Sequence, residues 1–94
     1  MKIIIAGAGA VGFHLARLMS KETQDIVIID NNKDRLQVVE NNLDVITIKG
    51  DASSLSTLEE ADVESSDLLI AVTQSETTNF TIAVLGKRLG AKKS

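Results

Sequence analysis

The chain has 94 residues and a mass of 10.1 kDa, enough for one small domain that buries roughly 60% of its unfolded surface. It contains no Cys, one His and two aromatic residues, Phe13 and Phe80, which excludes disulfides, thiolate–metal sites, poly-His metal centres and the aromatic platforms that grip single-stranded nucleic acid. The net charge of −3 offers no attraction to nucleic acid or an anionic membrane surface, no apolar run approaches the ~20 residues of a membrane helix, and no secretory signal is visible.

Lys2–Ala6 (KIIIA) opens the chain as the first of four short aliphatic runs, followed by Asp25–Asp30, Val45–Lys49 and Leu68–Val72. None alternates polar with apolar residues, and continuous β-branched runs of this length predict strands covered on both faces, as in a parallel sheet. Between the first two runs, Val11, Leu15 and Leu18 fall on one face of a predicted helix. Leu36, Val39 and Leu43 do the same in a second helix, with Asn31 or Asn32 as its cap. Leu55 and Leu58 mark a short third helix after Ser53 or Ser54. The last helix is predicted from about Glu76 to Leu89, with Thr73-Gln74-Ser75-Glu76 as a capping box and Gly90 as its stop. Strict alternation of strand and helix with short connections implies right-handed crossovers. The expected fold is α/β and Rossmann-like: a parallel sheet of order 3-2-1-4 with helices on both faces.

Charge is unevenly placed. Seven carboxylates and no Lys or Arg lie between Asp51 and Glu76, whereas the final stretch carries Lys87, Arg88, Lys92 and Lys93. The acids read as a solvated helix face and loop, and the cations as partners of the negative end of the last helix.

The chemistry concentrates after the first strand, in Gly7-Ala8-Gly9-Ala10-Val11-Gly12, a G-x-G-x-x-G. In such a loop Gly7 permits the sharp exit from the strand, Gly9 lets backbone approach a pyrophosphate, and Gly12 lets the helix sit close to the sheet. The free N–H groups at the helix start, on Ala10 and Val11, then face the anion. No Lys is present in the loop, which argues against a Walker-type phosphate loop. Asp30 closes the second strand 18 residues past Gly12, where an acid accepts hydrogen bonds from an adenosine ribose and repels a 2′-phosphate. Asn31 and Arg35 follow it closely, and Arg35 is placed either to reach a ribose or phosphate or to pair with Asp34 or Glu40. At the end of the third strand, Gly50-Asp51-Ala52 is placed for adenine, with Asp51 accepting from the amino group and Ala52 against the ring, or simply turns the chain. Thr73 and Gln74 end the fourth strand on the same crevice, as ligand contacts or as helix-cap residues. His14 and Arg17 read as boundary and surface residues of the first helix. No catalytic residue and no metal site is assigned, Asp51, Asp67 and Glu76 being the weak candidates for the latter.

Four segments, GAGAVGFHLA, IIDNNKDRL, IKGDASSLSTLEEA and SSDLLIAVTQSETTNF, together resemble the nucleotide-binding lobe of Trk-type potassium-uptake regulators, the RCK or KTN domains. The Gly-Asp-Ala step with its Leu-x-x-Leu-Glu-Glu-Ala helix, and Ala71-Val72-Thr73 followed by Glu76 and Asn79, are more particular than the glycine loop. The resemblance covers essentially the whole chain, residues 1–94. It implies a regulatory domain that binds NAD or NADH, alternatively ATP or ADP, without turning it over. It further implies a dimer or ring on the inner face of the plasma membrane, beneath a potassium transporter or channel subunit. By matching position, Gly7, Gly9 and Gly12 would hold phosphates, Asp30 the ribose, Asp51 and Ala52 the adenine, and Thr73 would line the phosphate side. Asn31 and Arg35 match more loosely, since family members often carry a basic residue just after the ribose acid. The alternative is the coenzyme-binding half of an NAD-dependent dehydrogenase, whose substrate-handling acid or base would lie outside this sequence.

The family's fold continues through a fifth strand, a fifth helix and a sixth strand. Ser94 stands where the fifth strand is expected to begin. On that reading the domain is incomplete at its C-terminus and Leu68–Val72 is an uncovered apolar sheet edge, a pairing liability.

Overall fold

The four aliphatic runs form four strands: β1 (Ile3–Ala6), β2 (Ile26–Asp30), β3 (Ile46–Lys49) and β4 (Leu68–Ala71). Between and after them lie α1 (Ala10–Met19), α2 (Lys33–Asn42), α3 (Leu55–Glu60) and α4 (Glu76–Leu89), with a 3-10 turn over Val63–Ser65 leading into β4. The computed structural model describes residues 1–22 and 25–93. All pairings are parallel and the sheet order is β3-β2-β1-β4, as expected. Ile3 pairs with Ile26 and Leu68, and Ala6 with Ile29 and Ala71. The C-terminal ends of the strands therefore finish level, and every loop that follows a strand opens onto one rim.

The β-branched residues of β1 and β2 are buried along their whole length. On one face, Ile4, Ala6, Val27 and Ile29 pack with Leu58 and Ala61, Val63, and Ile82 of α4. On the other, Ile3, Ile5, Ile26 and Ile28 pack with Ala16 of α1 and Leu36 and Val39 of α2. Each fully buried Ile contributes on the order of 2 kcal/mol of transfer free energy, so the two central strands hold this small domain together.

The flanks depart from the sequence pattern. Val11 and Leu18 of α1 are 59% and 47% exposed; the face α1 buries carries Gly12 and Ala16 instead. Small residues let the helix approach the sheet closely, and the large aliphatics of the expected stripe are left at its sides. β3 is an edge strand with a half-exposed pattern, so it is not covered on both faces, and Ile46 reaches solvent. Leu55, at the start of α3, is also exposed while Leu58 is buried.

Caps are settled by hydrogen bonds. Asn32 caps α2, its side chain accepting from the N–H groups of Asp34 and Arg35. Ser75, not Thr73, caps α4 by accepting from Thr78 N–H at 3.1 Å, because Ser75 is the residue directly before the first helical turn. Gly90 ends α4 in the left-handed conformation, as expected. The chain then turns back along β4: Lys92 N–H donates to the Ser66 carbonyl at 3.3 Å, and Leu69 N–H to the Lys93 carbonyl at 2.9 Å. The edge of β4 is thus not bare at its first half. The expected start of a further strand at Ser94 lies outside the described residues.

Candidate functional site

The glycine loop is folded by two constraints. Gly7 has φ +119°, and a Cβ there would sit 2.8 Å from the Val72 carbonyl oxygen. A Cβ on Gly12 would run into the Gly7 carbonyl. Loop and helix therefore close on one another without room for any side chain at either position. Gly9 is different. Its φ of −72° suits any residue, and a Cβ built on it meets nothing within 4 Å. The fold itself makes no demand for glycine there, yet the position lines the cleft described below.

The loop is also tied from below. Gly7 N–H donates to the Ile29 carbonyl, and Ala8 N–H donates to Asp30 Oδ2, both at 2.8 Å. Asp30 Oδ1 accepts from Asn32 N–H at 2.7 Å, and the Arg35 guanidinium lies 3.8 Å from Oδ2. Arg35 pairs with Asp30 rather than with Asp34 or Glu40. The Asp30 carboxylate is buried and braces the loop, and each oxygen retains one further acceptor position.

Helix α1 starts at Ala10 with no side-chain cap and no acid in its first turn. Its first intrahelical donor is Phe13 N–H, to Gly9, so the N–H groups of Ala10, Val11 and Gly12 have no intrahelical acceptor. The starts of α2 and α4, by contrast, carry side-chain caps, Asn32 accepting from the N–H groups of Asp34 and Arg35 and Ser75 from that of Thr78, while α3, like α1, has none.

Beside β2, Gly50 N–H joins the end of β3 to the Asp30 carbonyl at 3.0 Å. Asp51 Oδ1 accepts from both the hydroxyl (2.6 Å) and the N–H (2.9 Å) of Ser53, and these bonds, the hydroxyl first, hold the Asp51 carboxyl below the usual carboxylate range. Across β1, the side-chain amide of Asn79 clamps Thr73. Asn79 Oδ1 accepts from Thr73 N–H at 2.9 Å and from Thr73 Oγ1 at 2.6 Å, while Nδ2 donates to the Thr73 carbonyl at 3.1 Å.

These elements enclose a cleft of about 400 Å³ at the strand C-termini, within the size range of small-molecule sites. The structure brings Gly7, Gly9, Asp30, Asn31, Arg35, Asp51, Ala52, Thr73 and Gln74 together in its lining. Of the other expected residues, Ala10 and Val11 sit exposed at the helix start outside the lining, and Gly12 is buried beneath the loop. The lining also includes Ile29, Ser53, Val72, Ser75 and Thr78, which the sequence reading did not assign to the site. Most adjoin an expected residue in sequence. Thr78, in the first turn of α4, lines the cleft beside Ser75, whose side chain accepts from its N–H.

His14 is exposed, with Arg17 Nη2 at 3.2 Å from its Nδ1. Asp67 faces Lys2 and Lys92 at the opposite rim. Among the described residues no three His, Cys, Asp or Glu side chains form a metal-binding cluster, and no helix is long and apolar enough to cross a membrane.

A parallel sheet of order 3-2-1-4, with a glycine loop entering α1 and an acid closing β2, defines a Rossmann-like domain. Solved structures share this fold. An AMP-bound form of the Shewanella denitrificans Kef C-terminal domain superposes with TM-score 0.80 at 24% identity, over 94% of this chain and 52% of that one. The NAD(P)-binding domain of an exopolyphosphatase-related protein from Archaeoglobus fulgidus gives TM-score 0.81 at 17% identity, over 95% of this chain and 66% of that one. More specifically, the chain belongs to the TrkA-N domain family, whose pattern matches residues 3–94. Its relatives include a Trk system potassium uptake protein TrkA homolog of A. fulgidus, 39% identical over 98% of this chain. Another is the Trk system potassium uptake protein TrkA of Vibrio alginolyticus, 46% identical over 85% of it. The chain spans about a fifth of the length of these relatives (21% and 18%).

Proposed function

We propose that this domain is a regulatory sensor that binds an adenine nucleotide in the cleft, NAD(H) or else ATP/ADP, and controls a potassium uptake system or channel without chemical turnover of the ligand. The observation that carries the binding half is Gly9. Glycine stands where the fold neither needs it nor fills the space a side chain would take, beside a helix start whose N–H groups have no cap. An anion held there explains both. The adenosine ribose falls to Asp30, with Asn31 and Arg35 beside it, and the adenine to Asp51 and Ala52. The AMP in the Kef structure supports an adenine nucleotide as the ligand class.

The regulatory half follows from the names of the relatives, which are potassium uptake proteins. The ligand acts by binding two conformations with different affinity, and a membrane transporter subunit reads the shift. On this reading the domain works as a homo-oligomer at the cytoplasmic face of the membrane, and Phe80, 71% exposed on α4, is available for assembly.

Calorimetric titration with NADH, NAD, ATP and ADP tests the site. Gly9→Val is expected to abolish binding while leaving the thermal midpoint within a few degrees of wild type. Undiminished affinity in that variant removes the glycine loop from the site.

A further inference from the structure

We propose that Thr73, held by Asn79, is an acceptor-only position that makes the cleft prefer a dinucleotide to a nucleoside triphosphate; the proposal rests on the nucleotide-binding reading above. The orientation of the Asn79 amide is dictated by backbone. Thr73 N–H can only donate and the Thr73 carbonyl can only accept, so the atoms at 2.9 Å and 3.1 Å are Oδ1 and Nδ2 respectively. Oδ1 cannot donate, so at 2.6 Å the Thr73 hydroxyl must give it its single hydrogen. The other acceptor in reach of that hydrogen, the Ser75 carbonyl at 3.2 Å, is also the protein's own. Both Thr73 protons are therefore spent inside the fold. One Oγ1 lone pair takes the long bond from Ser75 N–H at 3.3 Å, and the other remains for a ligand.

The neighbouring helix start reinforces this polarity. Ser75 occupies the Thr78 N–H, and Glu76 places a carboxylate in the first turn of α4, which opposes the pull of the helix dipole on an anion. β1 lies between β2 and β4, so a dinucleotide straddles it. With the adenosine at Asp30 and Asp51 and the diphosphate at the glycine loop, a second ribose brings hydroxyl donors to Thr73. A triphosphate extended the same way brings only acceptor oxygens and negative charge. Thr73 rewards the first and gives the second no proton. Asn79, which does not line the cleft, is the positioning residue that sets this polarity.

The test is calorimetry with NADH, ATP and AMP at fixed salt on wild type, Thr73→Val, Thr73→Ser and Asn79→Ala. Wild type is expected to bind NADH more tightly than ATP. Thr73→Val should raise the NADH Kd roughly three- to tenfold, the loss of one neutral hydrogen bond, and leave the AMP Kd unchanged. Thr73→Ser should restore NADH binding to within about twofold. Asn79→Ala removes the acceptor of both Thr73 protons, which frees the N–H to donate and leaves the hydroxyl only the long bond to the Ser75 carbonyl, and should narrow the ATP/NADH ratio; if it does not fold, the two Thr73 variants decide the matter. Equal losses for NADH and AMP in Thr73→Val make Thr73 a structural support only and overturn the proposal, as does wild type binding ATP more tightly than NADH. A wild type that binds none of the three defeats the underlying reading instead.

Discussion

The two rims of the sheet treat their polar groups in opposite ways. At the strand N-termini, Lys2 Nζ meets Asp62 Oδ2 at 3.4 Å, the Asp62 carbonyl and Ser65 Oγ. Lys2 N–H donates to Asp67 Oδ2, whose other oxygen takes Lys92 Nζ at 3.1 Å. Donors and acceptors there are matched across segments far apart in sequence, and that rim closes the fold. At the strand C-termini, α1 begins with uncapped N–H groups around an open cleft. The N–H groups of Ala10, Val11 and Gly12 have no intrahelical acceptor, so that rim keeps open the hydrogen-bonding capacity that the opposite rim has closed.

The three glycines of the loop sharpen that contrast most strongly. Gly12→Ala forces a Cβ against the Gly7 carbonyl, and neither backbone segment has room to yield. We expect a loss of about 3 kcal/mol or more, which for a domain of this size lowers the thermal midpoint by at least about 12 °C. Gly9→Ala adds a methyl group in open space and should cost under about 1 kcal/mol, mostly through a poorer helix cap. Similar midpoints for the two variants would mean that Gly12 does not fix the approach of α1 to the sheet.

Asp30 belongs to both sides of the comparison, since it braces Ala8 and Asn32 and also faces the cleft. Asp30→Asn leaves one of those N–H groups without its acceptor and should cost about 1–3 kcal/mol. In wild type the carboxylate should make NADPH bind at least about tenfold more weakly than NADH, since a 2′-phosphate beside it repels; in Asp30→Asn the gap should narrow. A wild type that prefers NADPH shows that Asp30 does not face the ribose.

What the sequence revealed and what it hid divide along the same physical line. β-branched runs have few alternatives to a strand, so β1 through β4 lie within a residue of where the pattern places them, and their order follows from chain alternation. The level strand ends then gather Gly7, Asp30, Asp51 and Thr73 on one rim. Hidden were the facts that depend on size and tertiary contact. Hydrophobicity places Val11 and Leu18 inward, but the closeness permitted by Gly12 and Ala16 decides the packed face of α1. Nothing local announces that Asn79 reaches back six residues to clamp Thr73, or that Lys92, grouped by sequence with the cations of the last helix, instead pairs with Asp67.

That last pair supplies the smallest expected effect, and it belongs to the closed rim. The Asp67 carboxyl lies below the usual carboxylate range, first because Lys2 N–H donates to it and then because of Lys92. Asp62 is lowered likewise, by the Ser65 hydroxyl and then by Lys2. A carboxylate whose pKa is depressed in the folded state adds stability that is complete above its unfolded pKa, about 4. That stability is lost as pH falls through the lower folded value. Asp67→Asn should therefore be less stable than wild type at pH 7, and the difference should shrink steadily below about pH 4. Because the Asp67–Lys92 pair is exposed, raising salt at neutral pH should shrink part of the difference as well. The bond from Lys2 N–H is not a charge pair between two ions and should survive the salt. Denaturant midpoints of both proteins across pH and salt check this. A difference that stays constant down to pH 2 would assign the loss to packing rather than to the charge of Asp67.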